Sequence, residues 1–260
     1  MISNFMIMAA TETTVKEINW NLHSFFVDKF GLGGSMSELY LMLAGVLLCM
    51  IIPYLLGSIN PAIIFSRLFF HDDIREHGSG NAGTTNTLRT YGKRMAALIL
   101  LLDFLKAVIS VVIGTLILPH QLGGGAIAGI FVILGHSFPI YYKFRGGKGV
   151  ACLAGVVLML SPISFVILIS LFIAIVAMSR FVSLGSIMCV MLWPVIHTAF
   201  YPTQPWTTIG AIVIMAIIVF MHRENIKRLL AGKESKISFK KKSKEEKKEE
   251  NKGEDENGNG

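Results

Sequence analysis

Charge is scarce in this chain of 260 residues. Lys, Arg, Asp and Glu make up 16% of it, against about 25% in a typical soluble domain, which is too little to cover a water-facing surface. Cysteine is scarcer still. Cys49, Cys152 and Cys189 all lie inside apolar runs, at spacings that suit neither a disulfide framework nor a metal cluster, so buried free thiols are expected. The first residues have no basic stretch followed by an apolar run and a small-residue cleavage site, so no secretory signal is expected. His23 and Asp28 make a short H-x4-D match, a spacing common by chance. The Gly146-Gly147-Lys148-Gly149 turn departs from a P-loop, because glycine rather than Ser or Thr follows the lysine, which argues against an NTPase.

Apolar residues are abundant, at 53% of the chain, with a mean hydropathy of +0.60. Apolar segments run over about 39–69, 95–118, 124–142, 149–160, 163–178, 184–200 and 207–221. Pro53, Gly57 and Pro61 are expected to kink or break the first. Joining the fourth and fifth across Ser161-Pro162 would give a helix of about 43 Å at ~1.5 Å per residue, too long for a ~30 Å hydrocarbon core without strong tilt. Charge separates the two readings. Arg67, Arg75, Arg89, Lys93 and Arg94 follow the first segment, Lys143, Arg145 and Lys148 the third, Arg180 the fifth, and Arg223, Lys227 and Arg228 the seventh, whereas 119–123, 161–162 and 201–206 hold no Lys or Arg. With seven spans every basic connection falls on one side, which the positive-inside rule makes cytoplasmic. With six, Arg180 and the basic tail would be exported. The expected fold is therefore an all-α integral membrane protein of seven spans, the fourth and fifth short, with its N-terminus outside and its C-terminus inside. The net charge of +7 is assigned to that membrane face rather than to nucleic acid.

Residues 1–38 form a leader of unknown role, 39–232 the membrane domain, and 233–260 a Lys/Glu/Gly/Asn-rich tail with too little apolar surface to fold. Its Lys240–Lys242 cluster is read as a solvated charge run. Gly125 and Gly129 form a small-xxx-small pair for close helix packing. Asp103 and Lys106, at i, i+3 in the second span, are expected to pair, because an unpaired charge there is costly.

Three polar stretches interrupt the apolar chain. The first, 77–89, supplies Ser79, Gly80, Asn81, Gly83, Thr85, Asn86 and Arg89: short donors, glycines that allow close backbone approach, and a charged fork, together able to cradle an anion. The second, 135–151, ends in Gly146, Gly147, Lys148 and Gly149 at the start of a helix, where free amides and a lysine favour an anion. His136 in this stretch is expected to hydrogen-bond a helix end. The third, 222–229, places His222 and Asn225 on one helical face if the helix continues, with Glu224 free to hold an arginine. Ser183, after Arg180, adds a donor. The span count brings Ser79, Lys148 and His222 to the same side of the membrane. Several cations, many neutral donors and one imidazole, without an aspartate pair or a metal set, suit two phosphate-bearing ligands.

At these residues the chain resembles the bacterial acyl-phosphate:glycerol-3-phosphate acyltransferase family, from about Leu55 to Glu234 and through all three stretches in order. Thr84 and Cys152 stand where the family usually has alanine and threonine. The resemblance implies transfer of a fatty acyl group from acyl phosphate to the 1-hydroxyl of sn-glycerol 3-phosphate, yielding lysophosphatidic acid and phosphate, the first acylation of phospholipid synthesis, at the cytoplasmic face of a bacterial cell membrane. It implies Ser79, Arg89, Lys148, His222 and Asn225 as catalytic. Gly80, Asn81, Gly83, Thr85, Asn86, Gly146, Gly147, Gly149 and Ser183 would hold substrate phosphate. An acyl phosphate is already activated, so no cofactor or metal is expected, and membrane lipid is the other expected contact. The rival readings are an organic-phosphate transporter, whose site would tend to lie near the midplane of repeated halves, and a lipid-binding scaffold without catalysis.

Overall fold

A computed structural model describes residues 35–118 and 123–237. The leader up to residue 34, with the H-x4-D match, and the tail from 238, with Lys240–Lys242, lie outside the described residues. Within them every regular element is helical: α1 (Ser35–Ser58), α2 (Pro61–Phe70), α3 (Thr84–Thr90), α4 (Lys93–Ile117), α5 (Gly124–Ser137), α6 (Val150–Leu160), α7 (Pro162–Ser179), α8 (Val182–Phe200), α9 (Pro205–Met221) and α10 (Arg223–Leu230), with 3₁₀ turns at Ile74–Glu76 and Ile140–Tyr142.

The seven apolar segments of the sequence all become helices. Five are long and apolar enough to cross a membrane, a sixth span arises if α9 and α10 count as one bent by 60°, and α6 is a shorter apolar helix. The first apolar segment breaks at Ile59-Asn60. There Pro61 starts α2 and Asn60 caps it, accepting the Ile63 amide through its side chain at 3.2 Å. Ser161 and Pro162 end α6 and start α7. Ser161 lies at 2.6 Å from Nδ1 of the buried His197, and the buried Trp193 indole donates to it.

Small residues set the helix spacing, as expected where lipid supplies no drive for helices to associate. A side chain at Gly57 would strike the Val132 carbonyl, and one at Gly135 the Tyr54 carbonyl, so α1 and α5 touch backbone to backbone. A Cβ at Gly125 would lie 2.9 Å from Thr115 on α4, and one at Gly129 would lie 2.8 Å from Val156 on α6. The main core, built on Val132, Ile133, Val156, Val190, Trp193, Ile214 and Ile218, joins α5, α6, α8 and α9. Many of the outward side chains are large and apolar, among them Ile51, Leu101, Ile109, Val166, Ile173 and Ile212, as a lipid-facing surface requires.

One buried ionic cluster lies inside this apolar body. Lys106 pairs with Asp103 at 2.8 Å, so the pair expected from their spacing forms. Its ammonium also donates to the carbonyls of Gly57 and Ile59 at 3.0 and 2.7 Å, capping the break between α1 and α2. His136 Nδ1 lies 3.2 Å from Asp103 and 3.1 Å from Lys106. Asp103, His136 and Cys152 thus bring three metal-ligating atom types within 4.8 Å of one another. The Lys106 ammonium already fills the seat of a cation, so the set does not fit a metal ion.

Candidate active site

The three polar stretches converge at one end of the bundle. The first is organised by Asn86, a buried residue of α3. Its carbonyl oxygen accepts the Ser79 amide at 2.9 Å, and its amide nitrogen donates to the carbonyls of Ile74 and His77 at 3.0 and 2.9 Å. Asn86 therefore shapes the loop from within. Gly78 and Gly80 turn through the left-handed region at φ of 56° and 68°, which a side chain would strain. The outcome is a loop that leaves Ser79, Gly80 and Arg89 exposed, Asn81 and Thr85 half-buried, and Gly83 buried at the start of α3.

The second stretch lies across the first. The amides of Gly146 and Gly147 donate to the carbonyls of Ser137 and His136, each at 3.1 Å. A side chain at Gly147 would strike the His136 ring and come within 2.7 Å of the Ala82 carbonyl, so only glycine fits where the two loops meet over His136. The Ala82 carbonyl is in turn held by Asn60 at 3.3 Å. Arg75 joins the loops at a further point, donating to the carbonyls of Tyr142 and Arg145 at 3.0 and 3.2 Å while paired with Asp73 at 2.7 Å. Gly149, at φ 79°, caps α6 and sends Lys148 inward.

The third stretch does not continue straight on from α9, the condition under which His222 and Asn225 would share one face of it. The helix bends by 60° at His222, whose carbonyl then accepts the Ile226 amide at 2.9 Å to begin α10. Both His222 and Asn225 remain buried. Lys148 donates to the Asn225 side-chain carbonyl. The Asn225 amide donates to Glu234 at 2.6 Å, Ser183 to the same carboxylate oxygen at 2.8 Å, and Arg228 to the other at 2.7 Å. Glu224 faces outward and holds Lys227 at 3.1 Å and Arg223 at 3.9 Å.

Glu234 and Arg228 are site residues that sequence reasoning misses. Glu234 belongs to the charged stretch that composition assigns to the tail, yet its side chain is only 6% exposed. The amide of Ile237 donates to the Arg180 carbonyl at 2.9 Å, so residues 233–237 fold back over the start of α8. Arg228 could have been found by extending the His222–Asn225 face by one more step of three.

Charge in this mouth is strongly perturbed. Burial lowers the Lys148 ammonium to about 8, with the nearby Arg228 and Arg89 cations acting the same way against Glu234. Burial lowers His222 to about 4, the Ile218 carbonyl opposes this, and the Lys148 charge adds to it. The imidazole is therefore neutral near pH 7. Its Nδ1 donates to the Ile218 carbonyl at 2.8 Å, which leaves Nε2 as an acceptor. Burial pushes the Glu234 carboxyl up, but donors from Asn225, Ser183 and Arg228 outweigh it and hold the acid below its usual range.

This geometry has relatives. The family model described as glycerol-3-phosphate acyltransferase matches residues 47–232. A glycerol-3-phosphate acyltransferase from Thermoanaerobacter sp. (strain X514) is 44% identical over 191 residues, covering 73% of this chain and 94% of the relative. One from Halalkalibacterium halodurans is 44% identical over 194 residues, covering 73% and 94%. A crystal structure of PlsY (YgiH), an integral membrane glycerol 3-phosphate acyltransferase, in its glycerol 3-phosphate form is similar at a TM-score of 0.70 and 36% identity, covering 74% of this chain and 96% of that one. Its lysophosphatidic acid form gives 0.68 and 35%, covering 74% and 95%. Bundle, mouth and relatives together define a multi-pass membrane acyltransferase. Within that class, the chain belongs to the glycerol-3-phosphate acyltransferase family.

Proposed function

We propose that this chain transfers a fatty acyl group from acyl phosphate to the 1-hydroxyl of sn-glycerol 3-phosphate, giving lysophosphatidic acid and phosphate, at the cytoplasmic mouth of a seven-span bundle in a bacterial cell membrane. The observation that carries the reading is the meeting of Lys148, Asn225, Arg228, Ser183 and Glu234 in one bonded cluster, with Arg89 and His222 close enough to exchange charge effects with Lys148. The solved relatives in glycerol 3-phosphate and lysophosphatidic acid forms support the acceptor and the product.

The reaction places two anions side by side. Lys148 and Arg89 offset their repulsion, and Gly80, Gly83, Gly146, Gly147 and Gly149 leave the loops bare of side chains so that phosphate can approach. Ser79, Asn81 and Thr85 add neutral donors, and Ser183, bonded to Glu234, holds the third stretch in place. Asn86 serves by holding the first loop in shape. The acyl tail stays in lipid while its carbonyl reaches the mouth. The 1-hydroxyl oxygen bonds to the acyl carbon, the bond from that carbon to the phosphate oxygen breaks, and the hydroxyl proton passes to the departing phosphate. A neutral imidazole lowered to about 4 is a weak base, so His222 leaves that proton to the phosphate and positions glycerol phosphate through Nε2 accepting from its other hydroxyl, while Asn225 fixes Lys148 beside it. The mixed anhydride is already activated and needs no cofactor.

The test uses purified protein in detergent with acyl phosphate and labelled glycerol 3-phosphate. Labelled lysophosphatidic acid is the expected product. No turnover there, with sealed vesicles required for any effect, would favour the organic-phosphate transporter instead.

A further inference from the structure

Beside the mouth, the first two loops enclose a cleft of about 310 Å³ that the proposed reaction does not use. Four cations line it, Arg67, Arg75, Lys143 and Arg145, against two acids, Asp73 and Glu76. Asp73 is already divided between Arg67 at 2.9 Å and Arg75 at 2.7 Å. Arg75 is further committed to backbone carbonyls as the floor of the cleft. Lys143 and Arg145 are exposed and have no acidic partner among the described residues. The cleft therefore carries uncompensated positive charge.

Its flanks are apolar. Tyr141 lines the cleft, and Ile140 and Phe144, next to Tyr141 and Lys143 in the chain, with Leu68 and Phe69 following Arg67 in α2, are all exposed. Lys143 and Phe144 are consecutive non-glycine residues in the left-handed region, at φ of 56° and 57°, a conformation that L-residues rarely adopt and that concentrates at functional positions. A cationic seat between exposed aromatic and aliphatic side chains, at the end of a membrane helix, matches a ligand with an anionic head and hydrocarbon tails.

We propose that this cleft seats the phosphate head of an anionic membrane phospholipid, at a site separate from the catalytic mouth. The placement at the membrane surface rests on the orientation proposed above. Lys143 and Arg145 supply the attraction, Arg67 and Tyr142 the wall, and the apolar flanks lie along the lipid chains. Arg67 is itself held over the Tyr142 ring, at 5.8 Å from its centre.

The full chain in nanodiscs of phosphatidylcholine, with and without phosphatidylglycerol, tests this. Bound phosphatidylglycerol is read by native mass spectrometry or by titration with a fluorescent analogue. Each neutralised charge, in Lys143→Gln or Arg145→Gln, is expected to weaken phosphatidylglycerol binding about fivefold, and the double variant about 25-fold. Turnover of the variants in phosphatidylcholine alone is expected to match the parent, and Arg145→Lys to keep the lipid affinity. Unchanged lipid binding in the double variant overturns the site. So does a raised KM for acyl phosphate, which would make the cleft the donor's seat, or preferential binding of free inorganic phosphate over the lipid. Charge-dependent lipid binding without acyl transfer in detergent would sink the proposed reaction and leave this site standing.

Discussion

At Lys148, burial and two neighbouring guanidinium groups act in the same direction. The ammonium falls to about 8, so the free enzyme holds it charged below that pH and loses the charge above it. The kcat/KM for glycerol 3-phosphate, which reports the free enzyme, is therefore expected to fall as pH rises through about 8. A profile flat to pH 9 would remove Lys148 as the phosphate partner. In detergent, Lys148→Ala is expected to raise that KM by at least tenfold or to abolish turnover. Lys143→Ala, whose side chain points to the neighbouring cleft, is expected to be mild, and equal losses would count against the Gly-Gly-Lys-Gly assignment. For His222 the expectation concerns slope rather than rate. If the departing phosphate takes the proton, His222→Ala keeps the limiting pKa in its residual activity, whereas a vanished acidic limb would make His222 the base. Lys148, His222 and Asn225 could be singled out in the sequence because they stand in polar stretches that interrupt an apolar chain and match a family's motifs, and Lys148 does meet Asn225. Glu234 is not, because a lone acid among lysines looks the same whether it is solvated or buried.

Among the elements, the break between α1 and α2 and the glycine turn before α6 depend on the same ionic cluster. Lys106 caps the break, and His136 lies beneath Gly147. Removing one partner of a buried pair strands the other and typically costs about 3–5 kcal/mol, whereas replacing both with apolar residues is often neutral. Asp103→Asn is thus expected to lower thermal stability in detergent and to raise the KM for glycerol 3-phosphate. Asp103→Leu with Lys106→Met is expected to recover much of the stability but not the KM. If the double variant recovers both, the cluster acts through folding alone. Apolar periodicity and the punctuation at Pro61 and Pro162 marked these helices well. The bend at His222 escaped, because no proline or glycine announces it. Its cause is tertiary: burial of His222 and Asn225 against Lys148 and Glu234 draws α10 away from the axis of α9.

For the whole molecule, the ordering of Glu234 makes the position of the C-terminal cut decisive. A chain ending at Ile237 is expected to keep acyl transfer, and one ending at Gly232 to lose most of it. Equal activity of the two would show that Glu234 only neutralises charge. Topology has its own measurement. Thr203→Cys, in the connection between α8 and α9, is expected to react with a membrane-impermeant thiol reagent on intact cells, and Lys143→Cys only after permeabilisation. Labelling of Lys143→Cys from outside would reverse the proposed orientation. Charge bias in the sequence carries the proposed side of the basic connections, which this labelling tests, whereas the joining of three loops into one mouth depends on backbone contacts such as Gly147 against Ala82, which no local pattern encodes.

The return of residues 233–237 to the Arg180 carbonyl also bears on biosynthesis. A ribosome must release the chain past its last described helix before the carboxylate that draws Ser183, Asn225 and Arg228 together can arrive. Until then a half-inserted nascent chain, even one with its first loops already in place, lacks the acid that gathers the third stretch.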